Sequence, residues 1–196
     1  MRIIKTKVYT FDELSEDAKE KARQWYREVD DFDFHADCVI EDAKECAKLI
    51  GIDIERVYYS GFWSQGDGAC FDGSYSYKVG ALKAIKDYAP NDATLHRIAK
   101  DLQEAQMPAF YRLCARVKQR GHYSHSGCTD IEVYDRENPY SDVPQEEAIK
   151  EALRDFMDWI YSQLEKEYGY QNADAQVDEN IMVNGYVFTE DGGHFG

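Results

Sequence analysis

Apolar and polar positions alternate along residues 3–10, IIKTKVYT, and the β-branched content predicts a strand. The period then lengthens. Leu14, Ala18, Ala22, Trp25, Tyr26 and Val29 fall on one face of a helix, with Thr10 or Ser15 available as its cap and Glu13 completing a capping box with Thr10. The acidic run Asp30-Asp31-Phe32-Asp33-Phe34 ends that pattern. A second helix carries Val39, Ala43, Ala47 and Ile50 as its apolar stripe and Gly51 as its C-cap. Residues 52–78 are aromatic and β-branched around Ser64-Gln65-Gly66-Asp67-Gly68, a hairpin pattern. A short helix is expected at 80–88. Asn91 or Asp92 then opens a long helical stretch to about Arg120, interrupted or kinked at Pro108. Residues 122–135 return to a strand pattern. After Pro144, the positions Ile149, Leu153, Phe156, Met157, Ile160 and Leu164 mark a clean amphipathic helix to Tyr168. Asn172 or Asp174 opens a last short helix, and MVNGYVFTEDG reads as a final strand.

The predicted order is β-α-α-β-β-α-α-β-α-α-β. Strands do not alternate strictly with helices, which argues against a doubly wound parallel sheet. The expected fold class is α+β: a single domain over residues 1–196, with a mainly antiparallel sheet and helices packed on one face. At 196 residues the chain is long enough for one sizeable core, and its 43% apolar content excludes intrinsic disorder. No apolar run approaches a membrane span and no secretory leader is evident, so a cytoplasmic location and no membrane partner are expected. Five cysteines without framework spacing fit free thiols in a reducing compartment. Cys38 and Cys46 read as small buried residues on a helix.

Charge changes the picture most. The chain holds 23 basic and 38 acidic residues, net −15, so phosphate should repel it and direct nucleic-acid binding is disfavoured. The distribution is uneven. Residues 78–128 are basic, with Lys83, Lys86, Arg97, Lys100, Arg112, Arg116, Lys118 and Arg120, whereas residues 129–196 hold 17 acids against 4 bases. Arg112, Arg116 and Arg120 recur every four residues on one predicted helical face. Such cations either grip phosphate or pair with the protein's own acids, and the net charge favours pairing. On the helix after Pro144, Glu147, Glu151 and Asp155 are spaced by four and Asp158 follows. Like charges at that spacing do not stabilise a helix. The stripe is either a solubility device or a surface that docks on a basic cleft. A basic middle and an acidic end are also compatible with a homodimer.

Two segments hold candidate chemistry. In Gly61–Cys70, Trp63, Ser64, Gln65 and Asp67 combine a flat apolar anchor with hydrogen-bonding groups between glycines; the segment is a recognition loop or a hairpin tip that needs glycine. It is neither a phosphate-binding loop followed by Lys-Ser/Thr nor a dinucleotide fingerprint. In His122–Cys128, two histidines and a cysteine sit three apart. A strand would turn His122 and His125 to opposite faces, which argues against zinc; a turn could rescue a shared site, but no Cys-x-x-Cys or His-Glu-x-x-His supports it, so no metal or cofactor is expected. Cys70, Cys114 or Cys128 with His122 or His125 and an acid would make a triad on paper, but among five cysteines and five histidines such pairings arise by chance. Catalysis is therefore not the expected role, and a small enzyme built on the Trp63–Cys70 loop is the alternative to a binding protein.

The opening Val8-Tyr9-Thr10-Phe11-Asp12-Glu13-Leu14-Ser15 through Arg23, with Trp25-Tyr26, resembles small acidic proteins encoded by bacteriophages and prophages. Tyr59 through Phe71, Tyr123 through Cys128, and Tyr186-Val187-Phe188-Thr189-Glu190-Asp191-Gly192 are similar to further segments of that group. Its members are often labelled antitoxins of a toxin–antitoxin stability system, and no catalytic residues come with the resemblance. It implies a phage accessory role. The function expected on this basis is an anti-defence protein that binds and inhibits a host nucleic-acid-handling complex, CRISPR-type immunity among them, through an acidic surface that mimics nucleic acid. Neutralisation of a toxin is the alternative reading.

Overall fold

A computed structural model describes residues 5–29 and 34–196. In chain order its elements are β1 (Tyr9–Thr10), α1 (Glu16–Val29), α2 (Asp37–Ile50), β2 (Ile52–Tyr59), β3 (Ala69–Ser76), α3 (Ala81–Tyr88), α4 (Ala93–Gln106), β4 (Leu113–Gln119), β5 (Thr129–Asp135), α5 (Glu146–Gln171), α6 (Asp174–Val183) and β6 (Val187–Phe188). The chain is a mixed α+β protein, as expected. It divides into two compact units: Met1–His35 with Lys166–Gly196, and Ala36–Glu165.

The larger unit, Ala36–Glu165, is built on an antiparallel sheet of order β2-β3-β4-β5. Alternation sorts its side chains. Phe71 and Tyr75 on β3, Leu113, Ala115 and Val117 on β4, and Ile131 and Val133 on β5 are buried on one face. That face meets the helices, with Phe71 set edge-on against Phe156 of α5 at 6.3 Å between centroids. The other face carries Ser74, Arg116, Lys118, Asp130 and Glu132 and is exposed. The six apolar positions read on α5 are all buried, because their spacing keeps one stripe toward the sheet. Gly51 ends α2 with φ +88, as a left-handed C-cap does. Asp92 caps α4: its Oδ1 accepts from Leu95 N at 2.9 Å, while its Oδ2 accepts from the Trp159 indole N–H of α5 at 2.8 Å.

The structure corrects the long helix expected from Asp92 to Arg120. α4 stops at Gln106, a 3-10 turn follows at Met107–Ala109, and residues 113–119 form β4, at the centre of the sheet. Between them Phe110 and Tyr111 take φ of +51 and +61, a conformation that costs bulky residues about 1–2 kcal/mol each. The fully buried Gln106 side chain holds this reversal closed. Its Nε2 donates to Leu113 O at 2.7 Å and to the Tyr75 hydroxyl at 3.2 Å, and its Oε1 accepts from Leu113 N at 3.0 Å. The Tyr111 ring lies tilted against that of Tyr77, with 4.4 Å between centroids.

Four other expectations also change. The strand read at 3–10 is reduced, among the described residues, to Tyr9–Thr10; Ile3 and Ile4 lie outside them, as does most of the Asp30–Phe34 breaker. Residues 122–128 form a loop with a 3-10 turn at Ser126–Cys128, and the strand begins at Thr129. Cys38 is exposed near the start of α2, while Cys46 is buried. The closing strand shrinks to Val187–Phe188, because Met182 and Val183 finish α6.

The smaller unit pairs β1 with β6 and packs Phe11, Leu14, Ala18, Ala22, Tyr26, Val177, Ile181 and Phe188 into its own core. Ser15 Oγ accepts from Ala18 N at 3.3 Å and caps α1, while the Thr10–Glu13 box closes the preceding turn. Arg23 forks onto Asp178 at 2.7 and 2.9 Å. The C-terminal segment folds back on α1: His194 stacks on Trp25 at 3.9 Å, and Lys21 pairs with Asp191.

Replacing Gln106 by leucine keeps its volume but leaves Leu113 N–H and C=O and the Tyr75 hydroxyl without partners. Urea unfolding should show a loss of roughly 2–4 kcal/mol, against about 1 kcal/mol for Tyr75→Phe. In the smaller unit, hydrogen bonds from Lys21 and Thr189 hold the Asp191 carboxyl down at about 2. A depressed carboxyl contributes stability that is complete above its unfolded pKa and lost as pH falls through its folded one. The difference in melting temperature between the native protein and Asp191→Asn should therefore be present at neutral pH and close as the pH falls from about 4 to about 2.

Candidate functional site

Six of the eight cations of the basic middle are engaged by the protein's own acids. On the exposed sheet face Arg116 meets Glu132 at 3.4 Å, Lys118 meets Glu55 at 3.3 Å and Asp72 at 3.6 Å, and Arg120 meets Asp130 at 3.2 Å. Arg112 bridges Asp135 and Glu137 at 3.1 and 2.8 Å. On α4, Arg97 holds Asp155 at 2.6 Å and Lys100 reaches Glu104 at 3.5 Å. Lys83 and Lys86 have no acid at ion-pair distance among the described residues; they line a groove of about 400 Å³ with Leu82 and Gln103. The helical face expected for Arg112, Arg116 and Arg120 does not form: Arg116 lies on the exposed face of β4, and Arg112 and Arg120 flank the strand just beyond its two ends.

The acidic residues of α5 separate into two groups. Asp155 leans to the edge of the stripe, where Arg97 takes it up. Glu147 is exposed, with Lys150 at 3.4 Å. Glu151 and Asp158 are exposed and have no cation at ion-pair distance among the described residues. Lys150 is drawn mainly to Glu146, at 2.6 Å, and hydrogen bonding there raises its pKa. The outward face of α5 therefore presents Glu147, Glu151 and Asp158 together.

The loop between β2 and β3 is latched from within. Ser60 N donates to Gly68 O at 3.1 Å, Asp67 N donates to Ser64 O at 3.2 Å, and the Asp67 carboxylate accepts from Ser64 N at 2.7 Å. Ser64 and Asp67 thus fix the turn. Gln65 is exposed, and Trp63 is 71% exposed at φ +72, a left-handed conformation unusual for a bulky residue. Phe62 stacks on Tyr161 of α5 at 5.8 Å, and the Tyr161 hydroxyl donates to Gly61 O at 3.3 Å. Burial, and then the charge of Asp67, raise the Tyr161 pKa.

The fold brings this loop against His122–Cys128. A side chain on Gly68 would lie 2.6 Å from both Cα and Cβ of His125, so glycine is required there by close approach rather than by turn geometry. Gly127 leaves room for the His125 ring in the same way: a Cβ there would stand 3.1 Å from Nδ1. The Gln119 side chain donates to Gly121 O at 2.8 Å and Tyr123 O at 3.2 Å and pins the loop's start. His125 Nε2 and Cys128 Sγ lie 3.2 Å apart. Cys70 is fully buried, and burial pushes its thiol up to about 11. His122 is exposed and stands outside the pair. Among the described residues no group of three or more His, Cys, Asp or Glu side chains has the arrangement of a metal site, and no helix is long and apolar enough to cross a membrane. Sequence reasoning missed Tyr161 and Gln119. Tyr161 sits on the polar side of an amphipathic helix, and nothing in its spacing marks it as a loop support.

A family model described as Domain of unknown function (DUF8835) matches residues 35–174, which include the whole of the larger unit. None of the curated proteins and none of the solved structures matches the chain.

Two glycines of the β2–β3 loop should respond unequally to added methyl groups. Gly68→Ala should lower stability in urea by about 1–3 kcal/mol, since backbone and Cβ of His125 must shift. Gly61→Ala, where the nearest neighbour would be Asp67 Oδ1 at 3.4 Å, should stay within about 0.5 kcal/mol of the parent.

Proposed function

The chain belongs to the DUF8835 family, and we propose that it is a stoichiometric binding protein that docks the acidic face of α5 onto the cationic, nucleic-acid-binding groove of a partner complex. The observation that carries this reading is the separation of satisfied from unsatisfied charge. Most cations of residues 78–128 are taken up by acids within the same unit, so they offer little to phosphate. What is left outward on α5 is Glu151 and Asp158, with Glu147 beside them, in a molecule of net charge −15. A rigid helix with carboxylates on its outer face steers toward a basic cleft and competes there with a phosphate backbone. The sequence resemblance to small phage-encoded acidic proteins gives this binding a purpose: inhibition of a host defence nuclease or of the complex that guides it.

The test is capture from a nuclease-treated host lysate, followed by titration with the purified partner. The triple charge reversal Glu147→Lys, Glu151→Lys, Asp158→Lys, with helix content and melting temperature retained, should weaken binding about tenfold or more, and added salt should weaken the parent protein in the same direction. An unchanged affinity in the folded triple variant would sink the docking mechanism.

A further inference from the structure

Five thiols can be compared. Cys46 and Cys70 are buried, and burial pushes them up to about 12 and about 11; burial raises Cys114 as well. Cys38 is exposed but has no hydrogen-bond partner among the described residues. Cys128 differs from all four. It is half-buried, and the imidazole Nε2 of His125 lies 3.2 Å from its sulfur. That imidazole is fixed by its surroundings. Gly68, from a separate loop, packs on its Cα and Cβ, Gly127 leaves space at Nδ1, the Tyr123 ring lies at 6.1 Å, and Cys128 N donates to His125 O at 2.9 Å. A thiol with a positioned base at hydrogen-bond distance is the arrangement of an assisted nucleophile.

We propose that Cys128 is an imidazole-assisted thiol that exchanges with low-molecular-weight disulfides, a modification site independent of the acidic docking face. In the step, His125 Nε2 takes the proton of Cys128 Sγ as the sulfur attacks one sulfur of a small disulfide R–S–S–R. The Cys128–S–S–R bond forms, the original S–S bond breaks, and the departing R–S⁻ takes the proton back from the imidazolium. One disulfide is lost and one is made, so no further oxidant is needed. The added group would stand where the Gly61–Cys70 loop meets His122–Cys128.

The experiment is site-resolved alkylation of the full chain with iodoacetamide at neutral pH, read by peptide mass spectrometry. Cys128 should react about tenfold or more faster than Cys38, and His125→Gln should bring it to the Cys38 rate or below while Cys38 is unchanged. A Cys128 that is no faster than Cys38 in the native protein, or that is indifferent to His125→Gln, overturns the proposal. Cys46 and Cys70 report the fold, since both stay unreactive while it holds. Should the variant expose them, the native protein incubated with oxidised glutathione decides: one adduct, on Cys128 and reversed by dithiothreitol, supports the site, and an adduct on Cys38 or none overturns it.

Discussion

The reversal between α4 and β4 depends on one buried amide. Gln106 gives both ends of its side chain to the backbone of Leu113 and a further hydrogen bond to Tyr75, at a place where water cannot substitute. It ties the two sides of the reversal together where two consecutive aromatic residues, Phe110 and Tyr111, hold left-handed φ values. The clamp therefore sets the register of β4, which pairs with β3 on one side and β5 on the other. The exposed sheet face and the loop from Gly121 to Cys128 are placed only once that register is fixed.

Register also decides the electrostatics. Because Arg116 pairs with Glu132 across β4 and β5, and Lys118 lies opposite Asp130 and near Asp72, the exposed sheet face alternates sign at close range. Exposed pairs of this kind contribute little to stability, about 0–1 kcal/mol each. Their larger effect is to cancel the field of the basic residues locally. On the outward face of α5, by contrast, Glu151 and Asp158 have no such partner among the described residues.

How much of this was legible depended on period. α5 could be read because six apolar positions repeat at helical spacing over four turns. β4 could not, because Arg112, Arg116 and Arg120 are four apart, and four is both near a helical turn and a multiple of the strand period. The alternation of Leu113, Ala115 and Val117 carried the right answer but was outweighed by the continuous pattern before Pro108. Gln106 gave a weaker sign: a polar residue on the apolar side of a helix needs a partner. The hairpin and its glycine-rich tip were plain from composition, yet the reason for Gly68 was not. Its neighbour His125 is far away in sequence, and a close backbone approach leaves no periodic trace. The pairing of His125 with Cys128 was hidden by reading that segment as a strand, whereas a turn sets the two side chains together.

The strand order β2-β3-β4-β5 has a kinetic consequence. Each strand pairs with its neighbour in sequence, so β2 with β3 and β4 with β5 are hairpins that close over short loops. The one distant joining is β3 to β4, across residues 77–112, where α3 and α4 intervene. Loop-closure entropy concentrates there. The larger unit is thus built as two local hairpins and a helical pair, and the union of the hairpins carries the largest loop-closure cost within its sheet. The contacts that complete this union, Gln106 with Leu113 and Tyr75, lie at the point where the two hairpins meet.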